Sequence, residues 1–357
     1  PGDYQAALLG VASVPSVASK RWVYRQYDHM VRLGSLLLPG SDAAVVRMPT
    51  GPGSWKYLAA STDCNAHYCY LNPRRGALIA VAECVRNLAM TGAEPLALTD
   101  NLNFANPHNP ERFWELAECV DGLAEGCRFF GIPVTGGNVS LYNQNPKGAI
   151  EPTPTVGVVG LIEEEAHVTP SCFQAAGDAV LLIGGWGWEI AGTVYARELH
   201  RQHHGDCPQL DLENELNLHR AVRALIRAGL CRSAHDLSEG GFGLAALEAC
   251  IAQPTGLGAS LGADLRLPDH QRLDVTLFNE SQSRAIVTVP AGQEAAALQV
   301  VFSQGIGGEH VGHVTTAQEG LTLRAGETTL QWSVAELEEA WGKALGRLMQ
   351  GEAAQDC

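Results

Sequence analysis

The chain has 357 residues, a length that favours two domains over one. Its composition is 46% hydrophobic and 18% charged with 39 glycines, which indicates an α/β or α+β protein rather than a helical bundle. The formal net charge of −15 argues against nucleic acid as the main partner, because binding to a phosphate backbone requires a basic face. No apolar run approaches the ~18 residues of a membrane span and no leader-like segment opens the chain, so we expect a cytoplasmic protein with no membrane partner.

The first 35 residues form a polar and aromatic segment, which we interpret as a linker or lead-in. From residue 36 the hydrophobic pattern alternates between the periods of strands and helices. The predicted strands cover 42–47, 57–62, 95–99, 132–134 and 155–162, and the predicted helices cover 76–90 and 110–129. A glycine-containing loop is predicted at 135–141, between the last two of these strands.

A polar connecting segment at Glu163–Glu165 follows the last of these strands and predicts a domain boundary near residue 165. The first domain then spans 36–164 and the second 165–357. In the second domain the pattern predicts strands at 179–183 and 285–289 and helices at 213–228, 240–252 and 292–303. Ser333 and Glu336 have the spacing of a capping box, which predicts the start of the final helix.

The ten cysteines contain no Cys-x-x-Cys pair and show no spacing typical of a zinc site or a disulfide framework. Four of them fall inside apolar helical patterns, where cysteine behaves as a small buried hydrophobe. These four are Cys84, Cys119, Cys127 and Cys250. We therefore expect reduced, structural cysteines and no nucleophile of the glutaminase type.

A carboxylate, Asp100, directly follows the predicted strand 95–99 and is itself followed by polar amides. This is the place where α/β proteins put groups that face a ligand. The alternative is an Asx-turn, in which these side chains only satisfy the local backbone.

A pair of glycines follows the next predicted strand, in the stretch Gly136-Gly137-Asn138-Val139-Ser140. Paired glycines allow a ligand to approach the backbone closely, while Asn138 and Ser140 offer oxygen atoms to a metal and a substrate. An ordinary hairpin or strand-exit loop remains the alternative.

Two clusters of polar side chains in the second domain give weaker evidence of a functional site. Acidic and hydroxyl side chains in 235–243 precede two glycines at a predicted helix start, which suits either a plain N-cap or an anion cradle. The side chains of His203, His204, Asp206 and Cys207 are of metal-ligand types, but they lie in a polar connection. We interpret this second cluster as a solvated loop.

Taken together and in order, six stretches resemble the second half of phosphoribosylformylglycinamidine synthase (formylglycinamide ribonucleotide amidotransferase), in its small-type synthetase subunit. The stretches are 20–28, 61–70, 92–104, 133–142, 236–243 and 277–284. The resemblance implies a unit like aminoimidazole ribonucleotide synthetase, with an α/β domain followed by an α+β domain. In that family, the first domains of two such halves pack sheet to sheet into a barrel.

The resemblance also implies a ligase reaction of purine biosynthesis. ATP phosphorylates the formamide oxygen of formylglycinamide ribonucleotide, and ammonia then displaces phosphate to give the amidine. The implied partners are the first half of the synthetase, a glutaminase subunit that supplies the ammonia, and a small bridging subunit. By motif, Asp100 and Gly137 correspond to ATP contacts, Asn138 to a Mg²⁺ ligand and Ser140 to a substrate contact, while no catalytic residue is assigned to this half.

Two departures from the family's first half concern His67 and Asn87. His67 lies where the first half carries catalytic histidines, and Asn87 stands where it has a metal-binding aspartate. A neutral Asn87 weakens metal binding, so the symmetry-related site of this half looks degenerate and His67 is interpreted as structural. The isolated chain is then expected to be inactive.

Two alternatives stay open from the sequence: a catalytically silent module that holds a structural nucleotide, and a stand-alone synthetase of the wider superfamily. We expect the isolated chain to form a dimer through its first domain, because an uncovered barrel sheet leaves an apolar patch in water.

Overall fold

Two β-sheets with packed helices carry the fold in a computed structural model that describes residues 2–251 and 259–351. The strands are β1 (Ser35–Leu37), β2 (Ala44–Gly51), β3 (Ser54–Asp63), β4 (Glu94–Asn103), β5 (Val134–Ser140), β6 (Gln144–Asn145), β7 (Gly148–Ala149), β8 (Thr153–Ile162), β9 (Ala179–Ile183), β10 (Ser233–Asp236), β11 (Gly262–Arg266), β12 (Ala285–Val289), β13 (Gly308–Thr315), β14 (Leu321–Ala325) and β15 (Thr328–Trp332). The α-helices are α1 (Tyr4–Ala12), α2 (Arg21–Tyr24), α3 (Ala66–Leu71), α4 (Pro73–Met90), α5 (Pro110–Phe130), α6 (Leu212–Arg227), α7 (Gly241–Cys250), α8 (Leu273–Phe278), α9 (Glu294–Ser303), α10 (Val334–Leu337) and α11 (Ala344–Gln350).

The first sheet has the strand order β1-β2-β3-β8-β4-β5. Only the β4–β5 pair is parallel; the other neighbours run antiparallel. Alternate side chains of this sheet, such as Val45, Ala59 and Val158, are buried in a core shared with α4 and α5. The opposite face carries exposed apolar side chains, including Val46, Met48 and Val159, so the sheet is covered by helices on one side only.

Local signals in the sequence set the ends of the two helices that cover this sheet. Each begins with an asparagine N-cap followed by proline at the first helical position: Asn72 before α4 and Asn109 before α5. The helix α5 ends at Gly131, whose φ of 68° is the left-handed conformation of a glycine C-cap. The predicted helices 76–90 and 110–129 are therefore confirmed.

The second sheet has the order β10-β12-β9-β13-β11-β14-β15, and its strands β9 and β12 are buried on both faces. In β9, Val180 and Leu182 contribute to one core, while Ala179, Leu181 and Ile183 contribute to another. The first core contains α1 and α7, and the second contains α6 and α9. The predicted strands 179–183 and 285–289 and the capping box of Ser333 and Glu336 are confirmed.

Three expectations need correction. The strand that was predicted to stop before Asp100 continues to Asn103, and the predicted loop 135–141 is largely the strand β5. Glycine has a weak strand propensity, but pairing with β4 determines the conformation here. The first 35 residues are also more than a lead-in, because Leu8 and Val11 of α1 are fully buried in the core of the second domain.

The cysteines follow the sequence-based expectation. Cys84, Cys119, Cys127 and Cys250 are buried, and no disulfide forms among the cysteines in the part of the chain that the structure describes. Burial raises the pKa of the Cys231 thiol to about 12. In the same part of the chain, no helix is both long and apolar enough to cross a bilayer.

Candidate functional site

The residues proposed for ATP, metal and substrate lie side by side on two neighbouring parallel strands. In the register of β4 and β5, Asp100 is paired with Gly137, and Asn103 is paired with Ser140. Asn138 is paired with Asn101, whose Oδ1 accepts a 3.2 Å hydrogen bond from Asn138 Nδ2. Strand pairing therefore brings together two stretches that are 37 residues apart in the sequence.

A close contact explains why glycine stands at position 137. A Cβ atom added there would lie 2.5 Å from Oδ1 and 2.8 Å from Cγ of Asp100, so the carboxylate lies directly over the Cα of Gly137. Burial raises the pKa of the Asp100 carboxyl. Gly137 is thus the partner that lets Asp100 lie across the neighbouring strand.

The four residues do not share one face of the sheet. Because side chains alternate along a strand, Asp100 lies with buried Leu98 and Leu102 on the helix-packed face, whereas Asn138 and Ser140 lie on the open face. The strand β5 is the edge of the sheet, so part of its backbone N–H and C=O groups point away from β4. A ligand that contacts all four residues has to reach around this edge.

The side chains present on the open face fit a magnesium ion only in part. The neighbours of Asn138 there are Thr99, Asn101, Asn103 and Ser140, which offer amide and hydroxyl oxygens but no carboxylate. Mg²⁺ prefers oxygen ligands and is commonly held by one or two protein groups together with phosphates. Asn138 would therefore hold the ion only with phosphate oxygens supplied by a nucleotide.

A second polar site lies between the two domains, where a cavity of about 360 Å³ opens beside α4 and β10. Most of its titratable side chains are acidic. The acidic members are Asp42, Asp63, Glu83, Asp236, Glu239 and Glu248, and the basic members are Lys20, Arg21 and His235. Burial and neighbouring carboxylates raise the pKa of Asp63 well above its ordinary value, and they raise the pKa of Glu239 to about 7.

One histidine in this cavity lies between two carboxylates. His235 Nδ1 lies 2.6 Å from Asp42 Oδ1, and its Nε2 lies 2.9 Å from Glu248 Oε2. Burial alone would lower the pKa of His235, but Asp42 and Glu248 raise it well above its usual range. With both nitrogens occupied, His235 has no lone pair for a metal, although its ring approaches Asp42 and Asp236 closely.

The cavity has oxygen atoms suited to a hard cation without His235. Asp42, Glu83 and Asp236 supply carboxylates, and the buried Oδ1 of Asn87 has no hydrogen-bond partner within the described residues. An unsatisfied buried acceptor is costly, and a bound cation would remove that cost while offsetting the carboxylate repulsion. Among the described residues, the only group of three His, Cys, Asp or Glu side chains whose ligand atoms lie within 4.8 Å of one another is Asp42, His235 and Asp236. Because His235 has no free lone pair, only Asp42 and Asp236 of this group can bind a cation, and the weak metal binding expected from the neutral Asn87 stays a prediction.

A buried arginine of α4 joins the two domains next to this cavity. Arg86 is fully buried, and its guanidinium donates to Asp236 Oδ2 (3.1 Å), Glu215 Oε1 (3.0 Å) and Gln282 Oε1 (3.1 Å). A further contact of 3.1 Å joins Arg86 to Glu83 on its own helix. Burial would raise the pKa of Glu215, but Arg86, His219 and Ser283 lower it to about 2.

The roles of the other sequence candidates stay predictions. His67 is 2% exposed, its Nδ1 lies 3.4 Å from Glu151 Oε1, and its buried Nε2 has no hydrogen-bond partner among the described residues. His203, His204 and Asp206 are exposed, as expected for a solvated loop, but the nearby Cys207 is buried.

The plain N-cap interpretation of 235–243 is wrong. The helix α7 starts after Gly240 without a side-chain cap. Instead, Glu239 Oε1 accepts a 3.0 Å hydrogen bond from Asn65 of the first domain.

Sequence reasoning missed the acidic cavity and the Arg86 cluster. The contacts of Arg86 with Glu215 and Gln282 join segments that are 129 and 196 residues apart, so no local motif indicates them. In the cavity, Asp236 and Glu239 do belong to the stretch 235–243, but their partners Asp42, Asp63 and Glu83 are distant in sequence. The one signal available was the density of acidic residues around 236–239 and at Glu83, which by itself is common on solvated surfaces.

Both halves of the fold match known family models. The model for the AIR synthase related protein N-terminal domain matches residues 40–162, and the model for the C-terminal domain matches residues 175–324. The chain belongs to the AIR synthase related family. The two-domain fold expected from the sequence is confirmed.

The sequence relatives of the chain are PurL subunits of phosphoribosylformylglycinamidine synthase. This finding confirms the resemblance that the sequence motifs indicated. The chain is 43% identical over 350 residues to the subunit of Alkaliphilus metalliredigens, covering 98% of this chain and 46% of that protein. It is 43% identical over 360 residues to the subunit of Anaeromyxobacter dehalogenans, covering 99% and 47%. The chain therefore spans about half the length of these relatives.

Solved structures agree on the fold. A PurL of Thermotoga maritima complexed with FGAR matches with a TM-score of 0.74 at 18% identity, over 94% of this chain and 53% of that one. The same protein complexed with ATP matches with a TM-score of 0.63 at 20% identity, over 85% and 46%.

Proposed function

We propose that the chain is the second half of a phosphoribosylformylglycinamidine synthase, an ATP-dependent ligase of purine biosynthesis. The complete enzyme would convert formylglycinamide ribonucleotide, ATP and glutamine-derived ammonia to formylglycinamidine ribonucleotide. The observation that carries the proposal is the β4–β5 register, which places Asp100, Gly137, Asn138 and Ser140 together at one sheet edge. Its support from relatives is the 43% identity to PurL subunits along 98% of the chain.

The reaction needs little covalent chemistry from these residues, because phosphoryl transfer depends mainly on positioning and electrostatic stabilisation. Asp100 and the backbone at Gly137 would hold ATP at the edge of the sheet, where unpaired N–H groups of β5 are available to phosphate oxygens. Ser140 would contact the formylglycinamide group on the open face. Mg²⁺, held by Asn138 with the phosphates, would neutralise charge that develops on the transferred phosphoryl group.

The open face of the first sheet supports a partner for this half. Val46, Met48, Val159 and Leu96 are 37–49% exposed there, a clustering that marks an interaction surface. We propose that the first half of the synthetase covers this face and that, in its absence, a second copy of the chain does. A glutaminase and a small bridging subunit would supply ammonia, and a Thermotoga maritima structure named PurLQS is consistent with such an assembly. We propose a cytoplasmic location for this assembly.

Mixing the purified chain with a separately purified first half tests the proposal. The chain alone should form no formylglycinamidine ribonucleotide from ATP, ammonia and formylglycinamide ribonucleotide, and the mixture should form it. Light scattering should find a dimer before mixing and a complex of the two halves afterwards. A monomer before mixing contradicts the surface assignment, and an inactive mixture that forms the complex contradicts the proposed function.

A second candidate function is a silent module that holds a structural nucleotide, and the acidic cavity between the domains favours it. The cavity combines carboxylates suited to a divalent cation with a volume of about 360 Å³. In this case the cation and a nucleotide phosphate group would be held by Asp42 and Asp236, at a site separate from the β4–β5 edge.

The nucleotide content of the purified chain separates the two candidates. If the module holds a nucleotide in the cavity, acid extraction should release close to one nucleotide per chain from wild type and from Asn138→Ala, but far less from Asp236→Asn. If the Asp236→Asn variant releases as much nucleotide as wild type, the cavity is not the nucleotide site. If the nucleotide is lost from Asn138→Ala and kept by Asp236→Asn, the nucleotide binds at the edge of β5.

A further inference from the structure

The chain leaves β5 through an unusual turn. Tyr142 has a φ of 62°, a left-handed conformation that is strained for a residue with a side chain. Such strain persists only when surrounding contacts determine it. The contacts at this turn come from the next residue, Asn143.

The amide group of Asn143 connects the ends of both site strands. Its Nδ2 lies 2.9 Å from the carbonyl oxygen of Ser140, 3.1 Å from that of Phe104 and 3.2 Å from Ser140 Oγ. Carbonyl oxygens only accept hydrogen bonds, so the nitrogen of the amide must face them, which fixes the orientation of this side chain. The residue after β4 and the last residue of β5 are thereby held by a single amide.

Backbone hydrogen bonds reinforce the same connection. The N–H of Asn143 donates to Phe104 O (3.1 Å), and the N–H of Phe104 donates to Ser140 O (3.0 Å). The N–H of Tyr142 donates to Ala105 O (3.3 Å). The turn with positive φ is what allows the backbone and side chain of Asn143 to reach Phe104 together.

This arrangement leaves the Ser140 hydroxyl oriented but weakly bonded. The Ser140 hydroxyl oxygen lies 3.2 Å from Asn143 Nδ2, whose two N–H groups also face two carbonyls, and its own donated hydrogen bond to Asn143 Oδ1 is 3.4 Å long. A 3.4 Å contact is a weak hydrogen bond that a ligand oxygen can replace. The hydroxyl is thus held in place while its proton stays available to a ligand.

We propose that Asn143 is a positioning residue, which holds Ser140 so that its hydroxyl meets the amide-bearing substrate. The inference rests on the proposed function, in which Ser140 contacts formylglycinamide ribonucleotide. Asn143 itself does not touch the reacting atoms; it acts through Ser140.

The test uses the full chain mixed with the first half and compares Asn143→Asp with a matched control, Asn145→Asp. At position 143, aspartate replaces the donating nitrogen with an oxygen that repels the Ser140 and Phe104 carbonyls. At position 145, Oδ1 only accepts a 2.8 Å hydrogen bond from Lys147 N, which aspartate preserves. Asn143→Asp should raise the KM for formylglycinamide ribonucleotide about tenfold and leave the KM for ATP within about twofold, whereas Asn145→Asp should change neither.

The combination with Ser140→Ala distinguishes positioning from general damage. If Asn143 acts through Ser140, adding Asn143→Asp to Ser140→Ala should change the substrate KM by less than about twofold. Independent, multiplying effects would overturn the inference, as would an unchanged substrate KM in Asn143→Asp alone. A Ser140→Ala variant with unchanged substrate KM would overturn the Ser140 assignment as well. If Asn143→Asp does not assemble with the first half, the neutral Asn143→Ser variant is measured against the same criteria.

Discussion

Replacing Asn138 by alanine is expected to lower the rate of the complemented synthetase on the order of 100-fold or more. In the proposed site, Asn138 is the protein ligand of Mg²⁺ on a face without carboxylates, so no charged side chain there can compensate for its loss. Asp100→Ala is expected to cause a loss of similar size, because it removes the carboxylate assigned to ATP. Gly137→Ala should resemble Asp100→Ala, since its Cβ would displace the Asp100 carboxylate at 2.5 Å.

Stability measurements separate these effects from unfolding. Asn138 is exposed and bonds through its side chain to Asn101, so Asn138→Ala should change the free energy of unfolding by no more than about 0.5 kcal/mol. Initial rates of the mixture and urea unfolding of the chain alone provide the two readouts, with Asn145→Ala as the control. Wild-type rates in both Asn138→Ala and Asp100→Ala would refute the site assignment.

Replacing Arg86 by methionine is expected to lower the free energy of unfolding by about 3–5 kcal/mol. Methionine fills much of the same space but leaves Glu83, Glu215 and Asp236 buried without their shared cation. A buried carboxylate without a partner is costly, so the folded chain would have to take up protons or open the contact between its domains. Urea unfolding at neutral pH gives the magnitude.

A matched surface variant gives the comparison for Arg86. Arg74 on the same helix pairs with Glu125 at 2.8 Å, but its side chain is 51% exposed. Arg74→Met should lower the free energy of unfolding by much less than Arg86→Met, because exposed ion pairs contribute little. Equal losses in the two variants would mean that the buried cluster contributes no more than a surface pair.

The sequence predicts best the elements whose own side chains decide their structure. The stripe of Leu78, Val81 and Val85 identifies α4, and the uninterrupted apolar run 179–183 identifies β9. The stretch around Gly137 behaves differently, because glycines contribute no side-chain pattern and only pairing with β4 makes the stretch a strand. For the same reason, the sequence predicts the four site residues but not that Asp100 and Asn138 lie on opposite faces.

Contacts between distant segments are the other part that the sequence leaves undetermined. The bonds of Arg86 to Glu215 and Gln282 depend on how the two domains pack, which no local spacing encodes. Asn143 is a second residue whose contacts cannot be predicted from the sequence. An asparagine after a strand is typical of a turn, and only the structure identifies Phe104 and Ser140 as its acceptors.

The position of α1 has a consequence for the order in which the protein is made. Trp332 Nε1 donates to Gln5 O and Trp341 Nε1 donates to Val17 O, so the first and last described segments complete one body. In chain topology, the strands between Ser35 and Ile162 are an insertion within that body. A ribosome therefore releases the whole inserted sheet long before α1 can meet Trp332. During synthesis, the apolar side of α1 stays without its core partners until Leu199 and the helix α7 have been made, and the contact with Trp332 forms later still.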